Sequence, residues 1–147
     1  MCPDKMPAAQ PGALCAYREM SALTLAFIGD AVYELLVRRH ILSLGEGRVG
    51  ELHRKKVELA NAGFQSGAMD GLLPLLSDEE QSVYRRGRNA HPGHTPKNKS
   101  EAEYHRATGF EALFGYLYLA GRSERVEELF SLALELSEKK ETEAALR

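Results

Sequence analysis

The chain has 147 residues, of which 44% are hydrophobic and 27% are charged. This length suits one domain of roughly 100–200 residues, and the composition excludes a disordered chain. Nineteen basic against 21 acidic residues give a net charge of −2, so a nucleic-acid partner must meet a local basic patch. Because no apolar stretch approaches the roughly 18 residues of a membrane span and no secretory signal is visible, we expect no membrane partner and a cytoplasmic location.

Helical patterns run through most of the sequence, and no alternating strand pattern is found, so the expected fold class is all-α. Residues 1–12 contain three prolines and a glycine and are expected to form a flexible lead-in. A long helix is predicted from Ser21, its N-cap, to Leu44, before Gly45 and Gly47. A second, basic helix is predicted from Val49 to about residue 69.

Three more helices are predicted in the second half of the chain. Ser77 is expected to cap the first of them, with three acids in its first turn, as favours the helix dipole. A Pro/Gly loop then leads to a helix from Ser100 to Leu119, and a last amphipathic helix runs from Glu124 to about Leu136. We therefore expect one folded domain over residues 13–136 and a polar tail over residues 137–147, which either continues the last helix or frays.

Two acidic residues stand out because apolar residues surround them. Asp30 lies in FIGDAVYELL, and Glu111 lies in TGFEALFGYLYLAG. A carboxylate inside a buried helix is costly unless it is paired, protonated or bound to a cation. Gly29, Gly109 and Gly115 flank the acids, although glycine within a helix costs roughly 1 kcal/mol relative to alanine. We interpret them as a close crossing of two helices that directs both carboxylates to one point, where oxygen ligands suit Mg²⁺.

A structural ion pair is the alternative interpretation of the same acids. A lone buried carboxylate more often caps a helix or pairs with a cation than binds a metal ion. The cations available for such pairs are Arg38, Arg39, His105 and Arg106. Periodicity and composition do not decide between the two interpretations.

Several segments add a family resemblance. FIGDAVYE resembles the signature helix of ribonuclease III, in which a Gly-Asp pair follows an apolar triplet, and TGFEALFGYLYLAG resembles the second acidic helix of that family. With RGRNA and PKN between them, the region from Leu23 to Phe130 resembles Mini-ribonuclease III, a short bacterial branch that consists of the catalytic domain alone. Residues 13–136 are then expected to form a ribonuclease III-like catalytic domain without a double-stranded-RNA-binding domain.

The resemblance implies an endoribonuclease that cleaves double-stranded RNA as a symmetric homodimer and matures a ribosomal RNA precursor of the large subunit. Asp30 and Glu111 would be its catalytic residues and the ligands of Mg²⁺, with Mn²⁺ as a substitute and no organic cofactor. A catalytically silent RNA-binding or ribosome-associated module is the alternative. Retention of both acids favours the enzyme, because a binding module has no need of them. A plain helical interaction protein leaves the joint occurrence of these motifs unexplained.

Two positions depart from the larger ribonucleases III, which carry acids where this chain has Ala26 and Thr108. With fewer converging charges we expect weak metal binding, with waters and RNA phosphates completing the coordination shell. Glu34, one turn after Asp30, is expected to be solvated or paired with an arginine rather than to bind the metal.

Positive charge is concentrated between Tyr84 and Arg106, where six basic and two acidic residues give a net charge of +4. A basic run is often only a solvated face, but its position beside the Glu111 helix favours RNA binding. The candidate RNA-binding residues are Arg85, Arg86, Arg88, Asn89, Lys97, Lys99, Arg54 and Lys55. The candidate dimer-interface residues are Phe27, Ile28 and Gly29, because an apolar helix on a small domain needs cover.

Overall fold

The computed structural model describes Tyr17, residues 19–91 and residues 100–147, and this part of the chain is helical, with no strand. The all-α prediction is confirmed. The predicted lead-in over residues 1–12 lies outside the described residues. None of the described helices is both long enough and apolar enough to cross a lipid bilayer.

Six α-helices and one 3₁₀ turn follow one another in the described part of the chain from Ala22 onward. They are α1 (Ala22–Ser43), α2 (Val49–Ala60), α3 (Ala62–Leu72), the 3₁₀ turn Leu73–Leu75, α4 (Asp78–Arg88), α5 (Glu101–Leu119) and α6 (Ser123–Ala145). The hydroxyls of Ser21, Ser77 and Ser100 accept hydrogen bonds from backbone N–H groups three residues later, at 3.1, 3.2 and 3.1 Å. These N-caps confirm three predicted helix starts.

The predicted second helix is divided in two at Asn61, whose backbone is extended at φ −80° and ψ 161°. Its Oδ1 accepts a hydrogen bond from the N–H of Phe64 at 2.8 Å, while its Nδ2 donates to the carbonyls of Val57 and Glu58 at 2.9 and 3.1 Å. One side chain therefore caps the end of α2 and the start of α3. The prediction of a continuous helix is wrong, because a single capping residue interrupts it without a proline or a polar loop.

Helix α6 continues to Ala145, past the predicted end at about Leu136. Leu136 packs closely on Gly71 of α3, where a Cβ atom would lie 2.6 Å from the leucine Cδ1. One turn further, Lys140 Nζ donates to the carbonyl of Gly67 at 2.8 Å. These contacts join α6 to α3 at and beyond the point where its apolar pattern stops.

Helix α5 lies at the centre, and α1 makes the most extensive contact with it in the described part of the chain; α4 and α3 pack on it as well. In the core, the Tyr33 ring meets Phe110, Phe114 and Phe130 edge-on, with ring centroids 4.9, 5.6 and 5.8 Å apart. The consequence for the site is that the helix bearing Glu111 lies directly against the helix bearing Asp30.

Candidate active site

Helices α1 and α5 cross with their backbones in contact at two glycines. A Cβ atom on Gly29 would lie 1.7 Å from the carbonyl oxygen of Glu111, and one on Gly115 would lie 2.0 Å from the carbonyl oxygen of Leu25. Real Cβ atoms essentially never make contacts under 3.0 Å, so only glycine permits this approach. The predicted close crossing is confirmed for Gly29 and Gly115.

The crossing brings Asp30 and Glu111 to neighbouring positions on facing helices. Asp30 directly follows Gly29, and the backbone of Glu111 itself makes the contact. Glu111 is half-buried, whereas Asp30 is exposed. The expectation that apolar sequence neighbours imply burial is therefore wrong for Asp30, because its side of α1 faces away from the core.

The basic side chains considered as structural partners of the two acids lie beside other carboxylates. These pairs are Arg38 with Glu34 at 3.1 Å, Arg39 with Glu127 at 2.7 Å, Arg106 with Asp70, and His105 with Glu101 at 3.7 Å. Lys56 adds a second contact to Glu34, at 3.0 Å. The expected arginine pairing of Glu34 is thus confirmed, and hydrogen bonds from Lys56 and Arg38 lower the pKa of Glu34 below its usual value.

Tyr33 is a neighbour of Glu111 and was not among the residues predicted for the site. Its buried hydroxyl donates to the carbonyl of Leu59 at 2.6 Å. Burial and, secondly, the charge of Glu111 raise the pKa of Tyr33 above its usual value, so the phenol remains a neutral donor. The signal in the sequence was a tyrosine in FIGDAVYE, where the other buried positions of α1 carry aliphatic side chains or glycine.

The two positions that depart from the larger enzymes lie on the buried sides of α1 and α5. Ala26 and Thr108 are both buried, and the Thr108 hydroxyl donates to the carbonyl of Tyr104 at 2.9 Å, within its own helix. In the described part of the chain, no group of three or more His, Cys, Asp or Glu side chains is arranged to hold a metal ion. The candidate site therefore depends on two carboxylates.

A second pair of glycines joins α4 to α5, close to Glu111. A Cβ atom on Gly87 would lie 2.7 Å from Gly109 Cα, and one on Gly109 would lie 2.7 Å from the carbonyl oxygen of Tyr84. Gly109 thus serves the contact with α4, and its assignment to the crossing with α1 is wrong, because it lies on another face of α5. The basic end of α4 is held against the helix of Glu111 by this contact.

Four candidate RNA-binding residues lie at this end of α4, and all are exposed: Arg85, Arg86, Arg88 and Asn89. Arg86 donates to the carbonyl of Met20 at 2.7 Å, and the Arg88 guanidinium lies over the Tyr84 ring, 5.8 Å from its centroid. The α4 side chains thus present positive charge to solvent at the junction with α5.

The other candidate RNA-binding residues belong to α2 and to the segment that precedes α5 in the sequence. Arg54 and Lys55 are exposed on α2, where Arg54 lies 3.5 Å from Glu58. Lys97 and Lys99 lie outside the described residues. In the described structure, α2 and α4 therefore provide two separate basic surfaces.

The candidate dimer-interface residues differ in their exposure. Phe27 is 81% exposed, and Leu23 and Leu35 on the same side of α1 are 39% and 47% exposed. Ile28 is half-buried, while Gly29 is covered by α5 of the same chain. Gly29 therefore contributes to the crossing within the chain, and Phe27 presents the exposed apolar surface.

Comparisons with known proteins agree with the resemblance seen in the motifs. The family model of the ribonuclease III domain matches residues 23–122. A Mini-ribonuclease 3 of Symbiobacterium thermophilum is 47% identical over 117 residues, covering 80% of this chain and 90% of that protein. A Mini-ribonuclease 3 of Desulfitobacterium hafniense is 50% identical over 111 residues, covering 76% of this chain and 70% of that protein.

A solved structure shares the fold. It is a crystal structure of a Fusobacterium nucleatum protein, 29% identical, which superimposes with a TM-score of 0.72 over 80% of this chain and 94% of the other. The residues matched by the family model, 23–122, include α1 from its second residue and all of α5, with their two acids and the glycines of the crossing. The chain belongs to the ribonuclease III family, on its Mini-ribonuclease III branch, and is an endoribonuclease.

Proposed function

We propose that this chain is a Mg²⁺-dependent endoribonuclease that cleaves double-stranded RNA, with Asp30 and Glu111 as the catalytic metal ligands. The observation that supports the proposal most strongly is the backbone contact at Gly29, which keeps the exposed Asp30 next to Glu111. Two carboxylates fit Mg²⁺, since proteins commonly bind this ion through one or two carboxylates together with waters and substrate phosphates. Mn²⁺ is the proposed substitute.

Held by Asp30 and Glu111, Mg²⁺ would act as a Lewis acid and would activate a water for attack on phosphorus. The chain itself supplies the position of the ligands. Asp30 offers its oxygens on the solvent side, from which RNA arrives, while Glu111 is half-buried on a helix that the glycine crossing fixes in place. Because Ala26 and Thr108 add no charge, we expect tight metal binding only after RNA phosphates have joined the site.

The proposed RNA-binding surface lies at the basic end of α4 and on α2. The contact between Gly87 and Gly109 supports it, because this contact places the α4 cations beside the helix of Glu111. Exposed arginines and lysines suit the phosphates of an A-form duplex, which proteins recognise mainly by shape and by 2′-hydroxyls. The proposed residues are Arg85, Arg86, Arg88, Asn89, Lys97, Lys99, Arg54 and Lys55.

We propose further that the enzyme is a homodimer formed through the exposed apolar side of α1. The support is Phe27, whose ring is largely exposed three residues before Asp30, with Ile28 beside it. Apolar side chains in this position gain free energy when a second protomer covers them. A two-fold axis at this surface would let each protomer cleave one strand of the duplex, and the products would have staggered ends.

The proposed substrate is a double-stranded segment of a large-subunit ribosomal RNA precursor in the cytoplasm. Its support is the resemblance to Mini-ribonuclease III. We expect faster cleavage of such a precursor transcript than of an unrelated duplex of equal length, compared by kcat/KM. Equal kcat/KM values for the two RNAs would contradict the ribosomal substrate but would not contradict the nuclease activity.

The experiment that tests this activity compares the cleavage of a long RNA duplex, in the presence of Mg²⁺, by the parent and by the variants Asp30→Asn and Glu111→Gln. We expect cleavage by the parent only, with duplex binding retained in both variants and weakened by salt. Glu143→Gln is the matched control, since it removes one carboxylate from an exposed position of α6. Parental cleavage rates in either variant would contradict the assignment of Asp30 and Glu111 as catalytic metal ligands.

A further inference from the structure

Helix α2 carries two candidate RNA-binding cations but is weakly anchored by hydrophobic contacts. None of its residues is buried, and its apolar contacts with the core come from three partly buried side chains, Leu52, Leu59 and Ala60. A short helix normally depends on an apolar stripe packed against the domain. The position of α2 must therefore depend to an unusual degree on polar contacts.

Two polar contacts from consecutive residues of α1 supply this anchoring. The Tyr33 hydroxyl donates to the carbonyl of Leu59 at 2.6 Å, and the Glu34 carboxylate accepts from Lys56 Nζ at 3.0 Å. Lys56 and Leu59 are three positions apart and so lie on one face of α2. The Leu59 carbonyl is in the last turn of the helix, where carbonyls lack partners within the helix, so Tyr33 satisfies a group that needs a donor.

Both contacts are better shielded from water than an ordinary surface pair. The Lys56 side chain is only 19% exposed and the Glu34 side chain 35%, while Tyr33 is buried. Arg38 also donates to Glu34 at 3.1 Å, which holds the carboxylate between two cations. Charge-assisted hydrogen bonds with reduced exposure are stronger than the typical exposed ion pair.

Tyr33 and Glu34, which make the two contacts, lie within about one helical turn of Asp30. They belong to α1, the helix that the Gly29 crossing fixes against α5. We propose that Tyr33 and Glu34 are positioning residues that hold the basic helix α2 in register with Asp30, so that its cations meet the RNA duplex entering the site. This inference rests on the proposed function. It assigns to Glu34 a role in RNA affinity although its own charge repels RNA.

Because the negative charge of Glu34 repels RNA, the Glu34→Gln variant distinguishes a positioning role from a purely electrostatic one. Removing a negative charge beside a basic surface should tighten RNA binding if only charge matters. If Glu34 instead positions α2, its loss should raise the KM for duplex RNA by roughly fivefold, as expected for one lost hydrogen bond, with kcat changed less than about twofold. Lys56→Arg preserves the ion pair and should behave like the parent.

A second measurement follows the helix itself, in the full chain and without RNA. Hydrogen exchange of residues 49–60, followed by mass spectrometry, should become roughly fivefold faster in Glu34→Gln and in Tyr33→Phe. Glu127→Gln is the matched control, because it breaks the 2.7 Å pair with Arg39 between α1 and α6 and leaves α2 untouched. It should change neither the exchange of residues 49–60 nor the KM.

Unchanged exchange of residues 49–60 in both variants, or tighter duplex binding by Glu34→Gln, would overturn the positioning role. A parent that cleaves no duplex would instead refute the proposed nuclease. In that case the exchange measurement still decides whether Tyr33 and Glu34 hold α2, so the two failures remain distinguishable.

Discussion

Replacing Gly29 with alanine would place a Cβ atom where the backbone of α5 already lies. The added atom would be 1.7 Å from the Glu111 carbonyl oxygen, so the helices must separate by about 1.3 Å to restore the 3.0 Å limit. Backbone atoms cannot rotate away as a side chain can, so the overpacking cost should reach about 3 kcal/mol. Alanine regains about 1 kcal/mol of helix propensity, which leaves a net loss of about 2 kcal/mol in the free energy of unfolding.

Urea unfolding and thermal melting measure this loss, which corresponds to a fall in Tm of roughly 4–8 °C for a chain of this size. Because the same separation moves Glu111 away from Asp30, we expect the folded variant to cleave duplex RNA at least about tenfold more slowly. Gly50→Ala is the matched control, since a Cβ atom there meets nothing within 4 Å. A Gly29→Ala variant with parental stability and parental activity would refute the reasoning.

Three further predictions concern the exposed face of α1, a buried ion pair and a helix junction. Phe27→Asp places a charge on the proposed interface and should weaken dimerisation at least about tenfold in light scattering after gel filtration; dimers of parental strength would contradict that interface. Burial alone would raise the pKa of Glu80, but hydrogen bonds from Arg125 and Ser77 outweigh burial and hold the pKa below the usual 4.5. These hydrogen bonds therefore stabilise the fold above pH 4.5, and their contribution is lost as the pH falls through the lowered pKa. Glu80→Gln should therefore lower the free energy of urea unfolding by about 2 kcal/mol at about pH 7 and by much less at about pH 3, and equal losses at both would argue against the linkage. Asn61→Ala removes the caps of two helices and should cost about 1–2 kcal/mol in the same assay; a loss below about 0.3 kcal/mol would mean that the caps contribute little.

Local chemistry made the helix starts predictable from the sequence. Ser21, Ser77 and Ser100 each precede a helical pattern, and each accepts a hydrogen bond from its first turn. The crossing of α1 and α5 was also predictable, because glycine in a helix is costly unless a neighbouring backbone needs the space. Two acids beside such glycines left a metal site and a structural ion pair both open, and the family resemblance was needed to propose the candidate site there.

The features that the sequence did not reveal depend on particular side-chain contacts, some within neighbouring turns and others between distant helices. The break at Asn61 depends on a side chain that bonds three backbone groups at once, and α6 continues to Ala145, past the contact of Lys140 with an α3 carbonyl. Gly109 was assigned to the wrong neighbour, since the sequence shows that a glycine needs space but not which helix fills it. The contact between Tyr33 and Leu59 joins residues 26 positions apart, which no local pattern can indicate.

The direct contact between the two backbones at Gly29 and Gly115 also bears on how this protein can be engineered. Since main-chain atoms set the spacing of the acids, substitutions among the aliphatic side chains of the interior need not alter it, provided that total volume is conserved. A programme to raise thermal tolerance could thus exchange Leu36, Leu113 or Leu129 for other aliphatic side chains of matched total volume while keeping those glycines unchanged.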